Sequence, residues 1–280
     1  MITMMSAPGV DTRTESGWTP LQCAAYTGQV DTVRELLARG AVVDAQPKSG
    51  TTALMRAASN GHLEVVELLL QHQAGSEMKN NLARNALQLA ARECHVQVAK
   101  RLAQHFTPET LFSYMNFEAM KGNFRSVKTY VEIGVDIYRK DNGLMVFHNV
   151  AHKGHVKIVE YLLDRDPFLL EEVTEMGWPA LHLAAMMGQV KVVRVLLDRG
   201  AHIDAQNSSR WTALMNAAHH DKVDVVCELL ERGADKTIRI QTKTNETALS
   251  ATNNEVIRIL LGRLQFNESQ IKINQNVTFH

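Results

Sequence analysis

Apolar residues recur along this chain with helical spacing, in short stretches. Val30, Val33, Leu36 and Leu37 lie along one helix face, and Val190, Val193, Leu196 and Leu197 repeat the arrangement. Each set predicts an amphipathic helix with one buried side. A more evenly apolar segment precedes each, built on an Ala-Ala pair (Ala24-Ala25, Ala57-Ala58, Ala184-Ala185, Ala217-Ala218). Such small side chains let neighbouring helices approach closely. A Thr-Pro or Thr-Ala step opens the segment, with Thr as N-cap and Pro suited to the first helical position. Gly at 28, 61, 122, 154 or 188 allows a tight turn between the two helices. Arg39-Gly40-Ala41, Arg199-Gly200-Ala201 and Arg232-Gly233-Ala234 end the second helix with Gly in the left-handed cap position. The pattern predicts an all-α chain of helix–turn–helix units.

The units are copies of one another. Gly17-Trp18-Thr19-Pro20-Leu21-Gln22-Cys23-Ala24-Ala25 returns as Gly50-Thr51-Thr52-Ala53-Leu54-Met55-Arg56-Ala57-Ala58. It returns again from Gly177-Trp178-Pro179-Ala180-Leu181 and from Trp211-Thr212-Ala213-Leu214. An apolar anchor recurs at Leu21, Leu54, Leu87, Met115, Phe147, Leu181, Leu214 and Leu249, in steps of 33, 33, 28, 32, 34, 33 and 35 residues. A fixed period of this length marks a repeat architecture. At these residues the chain resembles the ankyrin-repeat family, over about residues 17 to 262. The resemblance implies a solenoid of about eight units with projecting hairpin loops, each unit buried only against its neighbours.

Three regions follow: an N-terminal extension (1–16), a repeat domain (17–262) that diverges at 106–176, and a polar tail (263–280). Within the divergent part, Phe106-Thr107-Pro108-Glu109-Thr110 replaces the usual hairpin, so a longer helix is expected from Pro108 to about Lys121. Asp166-Pro167-Phe168-Leu169-Leu170 replaces the Gly-Ala-Asp loop further on. A missing or distorted hairpin and a local change of curvature are expected at both places. The irregular middle also suggests two blocks, near 17–105 and 142–262.

Composition narrows the function classes. At 280 residues the domain prior is about two, but the repeat makes the length a count of units in one array. Thirty Lys+Arg balance thirty Asp+Glu, which argues against nucleic acid or an anionic membrane as a partner chosen by bulk charge. Cys23, Cys94 and Cys227 are far apart, without a CxxC pair, and read as buried or half-buried thiols of a reducing compartment. No apolar run is long enough to span a membrane and the start carries no export-signal pattern, so a cytoplasmic, monomeric protein is expected. The sequons at Asn207, Asn245, Asn267 and Asn276 then read as chance.

No catalytic constellation is visible. The chain lacks a GxSxG elbow, a Walker loop, a Rossmann fingerprint and a kinase set. Neither an enzyme nor a cofactor is expected. His152/His155 and His219-His220 lack flanking ligands at metal spacing, so no metal site is expected either. His62 and His155 follow the interhelix Gly, and His182 occupies the step after the anchor; the resemblance implies structural roles for all three. Elsewhere that step is Gln22, Met55, Gln88 or Met215, a departure expected to weaken loop anchoring slightly.

The resemblance also implies an inner concave face, lined by the residue after the loop Gly and by the two residues after the Ala-Ala pair. Carried over, this marks Trp18, Tyr26 and Thr27, then Thr51, Ser59 and Asn60, then Asn85, Arg92 and Glu93. Further along it marks Met120, Lys121, His152 and Lys153, then Trp178, Met186 and Met187, and finally Trp211, His219 and His220. The partner-binding candidates are Trp18, Tyr26, Arg56, Trp178, Met186, Met187, Trp211, His219 and His220. All three tryptophans share one repeat position, where a bulky ring equally serves to shield the loop base. Trp and Met together offer an adaptable apolar surface.

The leading expectation is a scaffold that binds a protein or peptide on that face. Two alternatives stand beside it. One is a secreted bacterial effector working in a host cytosol, with the tail as secretion signal. The other is a methyl-lysine reader using Trp178 and Trp211, although Leu183 and Asn216 stand near the place of the cage's further aromatic. Asp44 and Asp204 occupy the loop position at which the family is hydroxylated, usually on Asn.

Overall fold

The computed structural model describes residues 9–240 and 247–262. The polar tail, and the sequons at Asn245, Asn267 and Asn276, lie outside the described residues. The contacts divide the chain into two compact units between Asp136 and Ile137.

The first unit holds α1 (Pro20–Thr27), α2 (Val30–Ala38), α3 (Ala53–Ser59), α4 (Leu63–Gln71), α5 (Ala86–Arg92), α6 (Val96–Ala103), α7 (Pro108–Met120) and α8 (Phe124–Glu132). Helices α1, α3 and α5 pack side by side as one layer, and α2, α4 and α6 as a second. The alanine pairs make the first layer possible: Ala25, Ala57, Ala58, Ala90 and Ala91 are fully enclosed. The anchors Leu21, Leu54 and Leu87 lie at 0–1% exposure, and full burial of each Leu contributes about 1.5–3 kcal/mol.

Thr19, Thr52 and Asn85 start these helices by accepting from the backbone N–H three residues on. Thr107 caps α7 with Pro108 in its first turn, and the 13-residue helix follows residues 104–106 without a hairpin, as the sequence predicts. The layer order changes here, because α8 packs on α5 and α6 as well as on α7.

The second unit holds α9 (Val146–Lys153), α10 (Val156–Arg165), α11 (Ala180–Met187), α12 (Val190–Asp198), α13 (Ala213–His219) and α14 (Val223–Glu231). A 3₁₀ turn, Pro167–Leu170, replaces the expected loop after α10 and is capped by Asp166. Layers α9–α11–α13 and α10–α12–α14 repeat the arrangement. After α14, residues 248–251 form turns and 255–262 are helical. The anchor of this last unit, Leu249, is 39% exposed, since no further described repeat follows to cover it.

Two expectations need correction. The interhelix turn is left-handed in the first seven repeats, but Cys94 (φ 64°) and Asp221 (φ 56°) hold it where the other five have Gly. Cys94 is exposed rather than buried or half-buried, because a residue at that turn projects outward. The shared Thr start also fails: Asn85 takes its place at α5, and Met145 at α9 and Pro179 at α11 offer no side-chain cap.

Candidate functional site

Many of the conspicuous polar side chains bind neighbouring repeats together. Gln22 donates from Nε2 to the carbonyls of Ala45 (2.6 Å) and Thr51 (3.1 Å) in the next hairpin. His148 and His182 occupy the same step and donate to the carbonyls of Glu172 (3.2 Å) and Trp211 (2.9 Å). Burial pushes both imidazoles below their ordinary value. His62 reaches back to the Tyr26 carbonyl (3.0 Å), and His95, which the sequence reading passed over, does the same to Ser59 (3.1 Å). Gln189 serves this role toward His152 (3.2 Å). Asp44 accepts from the Gly75 N–H and Asp204 from the Asp235 N–H, so both loop aspartates hold the following hairpin.

Within the second unit, Trp178 separates two adjoining hollows. One, of about 390 Å³, is lined by Leu144, Thr174, Glu175, Met176, Trp178, Leu183 and Met186, with Asn142 and Gly143. The other, of about 340 Å³, is lined by Trp178, Asn207, Ser209, Trp211, Asn216, His219 and His220. The Trp211 ring meets His219 edge-on at 5.2 Å, and His219 meets His220 at 5.0 Å. Trp178 and Trp211 are half-buried and Met176 is 73% exposed.

The floor of the second hollow is polar. Asn207 accepts from the N–H groups of Ser209 and Trp211, while its Nδ2 is enclosed without a partner. Asn216 Nδ2 is likewise enclosed and unpartnered. With Asn207 at 4% exposure, the sequon there is closed to a glycan. The lining between the two tryptophans includes no carboxylate, so a methylammonium held there would lack a counter-charge.

Within the first unit, Trp18, Tyr26 and Arg56 come together. Tyr26 stands edge-on to the Trp18 ring at 5.6 Å, and the Arg56 guanidinium carbon lies 3.1 Å from that ring's centroid. Asn85 does not belong with these residues. It is the fully buried N-cap of α5, and the half-buried Arg84 is the true counterpart of Trp18.

Family models for ankyrin repeats match residues 2–81, 42–110 and 115–207, and a single-repeat model matches 209–242. The chain belongs to the ankyrin-repeat family. Among solved structures it is similar to the ankyrin repeat domain of human ASB11, at 22% identity and a TM-score of 0.45, over 88% of this chain and 98% of that one. No curated protein matches.

Ankyrin repeats are protein–protein interaction modules, generally without catalysis. Among the described residues no helix is long and apolar enough to cross a membrane. Among the described residues, no cluster of three potential ligands is placed to hold a metal. Of the ankyrin positions marked from the sequence, Trp178, Met186, Trp211, His219 and His220 line the paired hollows. Met187 lines neither and is 41% exposed. Met176, Glu175, Ser209 and the two asparagines were missed. Their visible signal was Met176 directly before the loop Gly177, where an apolar side chain has no core to enter.

Proposed function

We propose that this ankyrin array is a non-enzymatic scaffold that takes a peptide segment of a partner protein across the second unit, with Trp178 as the ridge between two side-chain sites. The carrying observation is that the two hollows share Trp178 as a wall. An extended segment alternates its side chains and so can drop one to each side of such a ridge. The first hollow suits an apolar side chain, with Met176, Leu183 and Met186 adapting around it. The second, with Ser209, His219 and His220 beside the two tryptophans, suits a polar side chain.

The test is quantitative recovery of bound proteins from native-cell lysate by the parent and by a Trp178→Ala, Trp211→Ala variant of unchanged circular dichroism. Binding through this surface predicts loss of the parent's partners, since a buried interface Trp commonly contributes 2 kcal/mol or more, roughly thirtyfold in affinity. Unchanged recovery would sink the reading.

A further inference from the structure

Arg56 is a buried cation that no described residue of the first unit neutralises. It is 8% exposed, its Nε is enclosed with no hydrogen-bond partner, and none of the ion pairs among the described residues includes it. The groups that couple to it are the Cys23 thiol and the Tyr26 phenol, not a carboxylate, and burial pushes its pKa down. A buried charge without a partner is costly.

The fold supplies no reason for that charge. Arg56 stands two residues after its repeat's anchor, and the same step holds Cys23, Leu89, Asn149, Leu183 and Asn216 elsewhere. Neutral side chains therefore satisfy the packing at this place. What distinguishes Arg56 is the ring it lies on. Trp18 covers one face of the guanidinium, and Nε is sealed, whereas the terminal nitrogens are not among the enclosed unpartnered atoms, so an incoming acceptor would meet the group there.

We propose that Arg56 and Trp18 form a subsite for the carboxylate of an Asp or Glu side chain of a partner polypeptide. In-plane approach to two terminal nitrogens is how a planar carboxylate pairs with guanidinium. One monoanion balances the one cation, whereas a phosphate dianion would carry an excess charge into a mostly enclosed place. Tyr26, 47% exposed, stands at the rim to cover the aliphatic part of the incoming side chain. This subsite lies in the first unit and does not depend on the Trp178 reading.

The experiment is a titration of the full ¹⁵N-labelled chain, followed at the Arg56 Nε–H and Trp18 indole signals. The probe is the blocked peptide acetyl-Gly-Glu-Gly-amide, beside its Gln and phosphoserine counterparts. The expected result is saturable shifts with the Glu peptide, about tenfold tighter than with Gln, weakened by Arg56→Lys and lost in Arg56→Leu. Equal shifts with Gln, or none with Glu, overturn the subsite. Tighter binding of phosphoserine overturns its assignment to a carboxylate. Thermal stability is the second readout: Arg56→Leu should melt no lower than the parent, because the residue removed is an uncompensated charge. A midpoint lower by several degrees would make Arg56 a structural support for Trp18 and overturn the proposal.

Discussion

His182 donates from Nε2 to the Trp211 carbonyl at 2.9 Å, while its Nδ1 is enclosed with no partner. In the first, third and fifth repeats the side chain at this step also accepts from the N-cap backbone: Gln22 from Thr19, Gln88 from Asn85, His148 from Met145. The sixth repeat has Pro179 as N-cap, and proline has no N–H to give. Pro179→Thr restores that donor and adds a capping hydroxyl. The backbone there, φ −65° and ψ 157°, already suits a threonine cap. A gain of about 1–2 kcal/mol is expected, read as a thermal midpoint a few degrees higher. An unchanged midpoint would show that Nδ1 is satisfied in some other way.

The same buried imidazoles make stability depend on pH. Burial lowers His148 and His182 below the ordinary 6.5, and His152 is pushed the same way by burial and by Lys153. The unfolded chain then takes up protons at a pH where the folded chain does not. Stability therefore falls on acidification from 6.5 down to the folded values, and is recovered above 6.5. Thermal melts at about pH 7 and about pH 5.5 should show the drop. His148→Gln with His182→Gln should reduce it while keeping the hairpin bonds, as Gln22 makes them without a titrating group. A drop of the same size in the double variant would place the acid sensitivity elsewhere.

The helix pairs and their order were legible because the period, the Ala pairs and the Thr caps all state one local structure, from Leu21 to Leu214. Thr107-Pro108 even announced the long α7. What escaped was relational. Asn85 looked like a surface residue because its neighbour Arg84, not Asn85, is in register with Trp18; counting back from the anchor Leu87 distinguishes them. Cys94 hid the left-handed turn because only glycine advertises it. The hollows beside Trp178 escaped for another reason. They join Leu144, Met176 and Asn216, residues of successive repeats that meet only once the units stack.

Gly28 and Gly40 both have positive φ, 76° and 81°, but differ in what surrounds them. A Cβ on Gly28 would fall 2.6 Å from the ring of His62, whereas a Cβ on Gly40 meets nothing within 4 Å. Gly40→Ala should cost only the left-handed backbone penalty, about 1–2 kcal/mol. Gly28→Ala should cost about 1–3 kcal/mol more, because His62 must shift and give up the Tyr26 carbonyl. A double-mutant cycle isolates the contact: in a His62→Ala background the two glycine substitutions should converge. Persisting inequality there would trace the extra cost to the backbone instead.

Glu228 ties two repeats of the second unit together. It is 6% exposed and accepts from Arg194 Nε at 2.6 Å and Arg232 Nε at 2.7 Å, while Arg232 also reaches Asp198 at 2.6 Å. Burial by itself would raise the carboxyl, but the hydrogen bonds and charges of the two arginines outweigh it and hold it below the ordinary 4.5. For a carboxyl lowered on folding, the stabilisation is present above 4.5 and is lost as pH falls through the folded value. Glu228→Gln should therefore cost about 2 kcal/mol near neutral pH, measured by urea unfolding. The gap between variant and parent should narrow as the pH is taken below 4.5, because the parent's own carboxyl then becomes neutral. A gap that stays constant down to about pH 3 would mean that shape, not charge, is what Glu228 contributes.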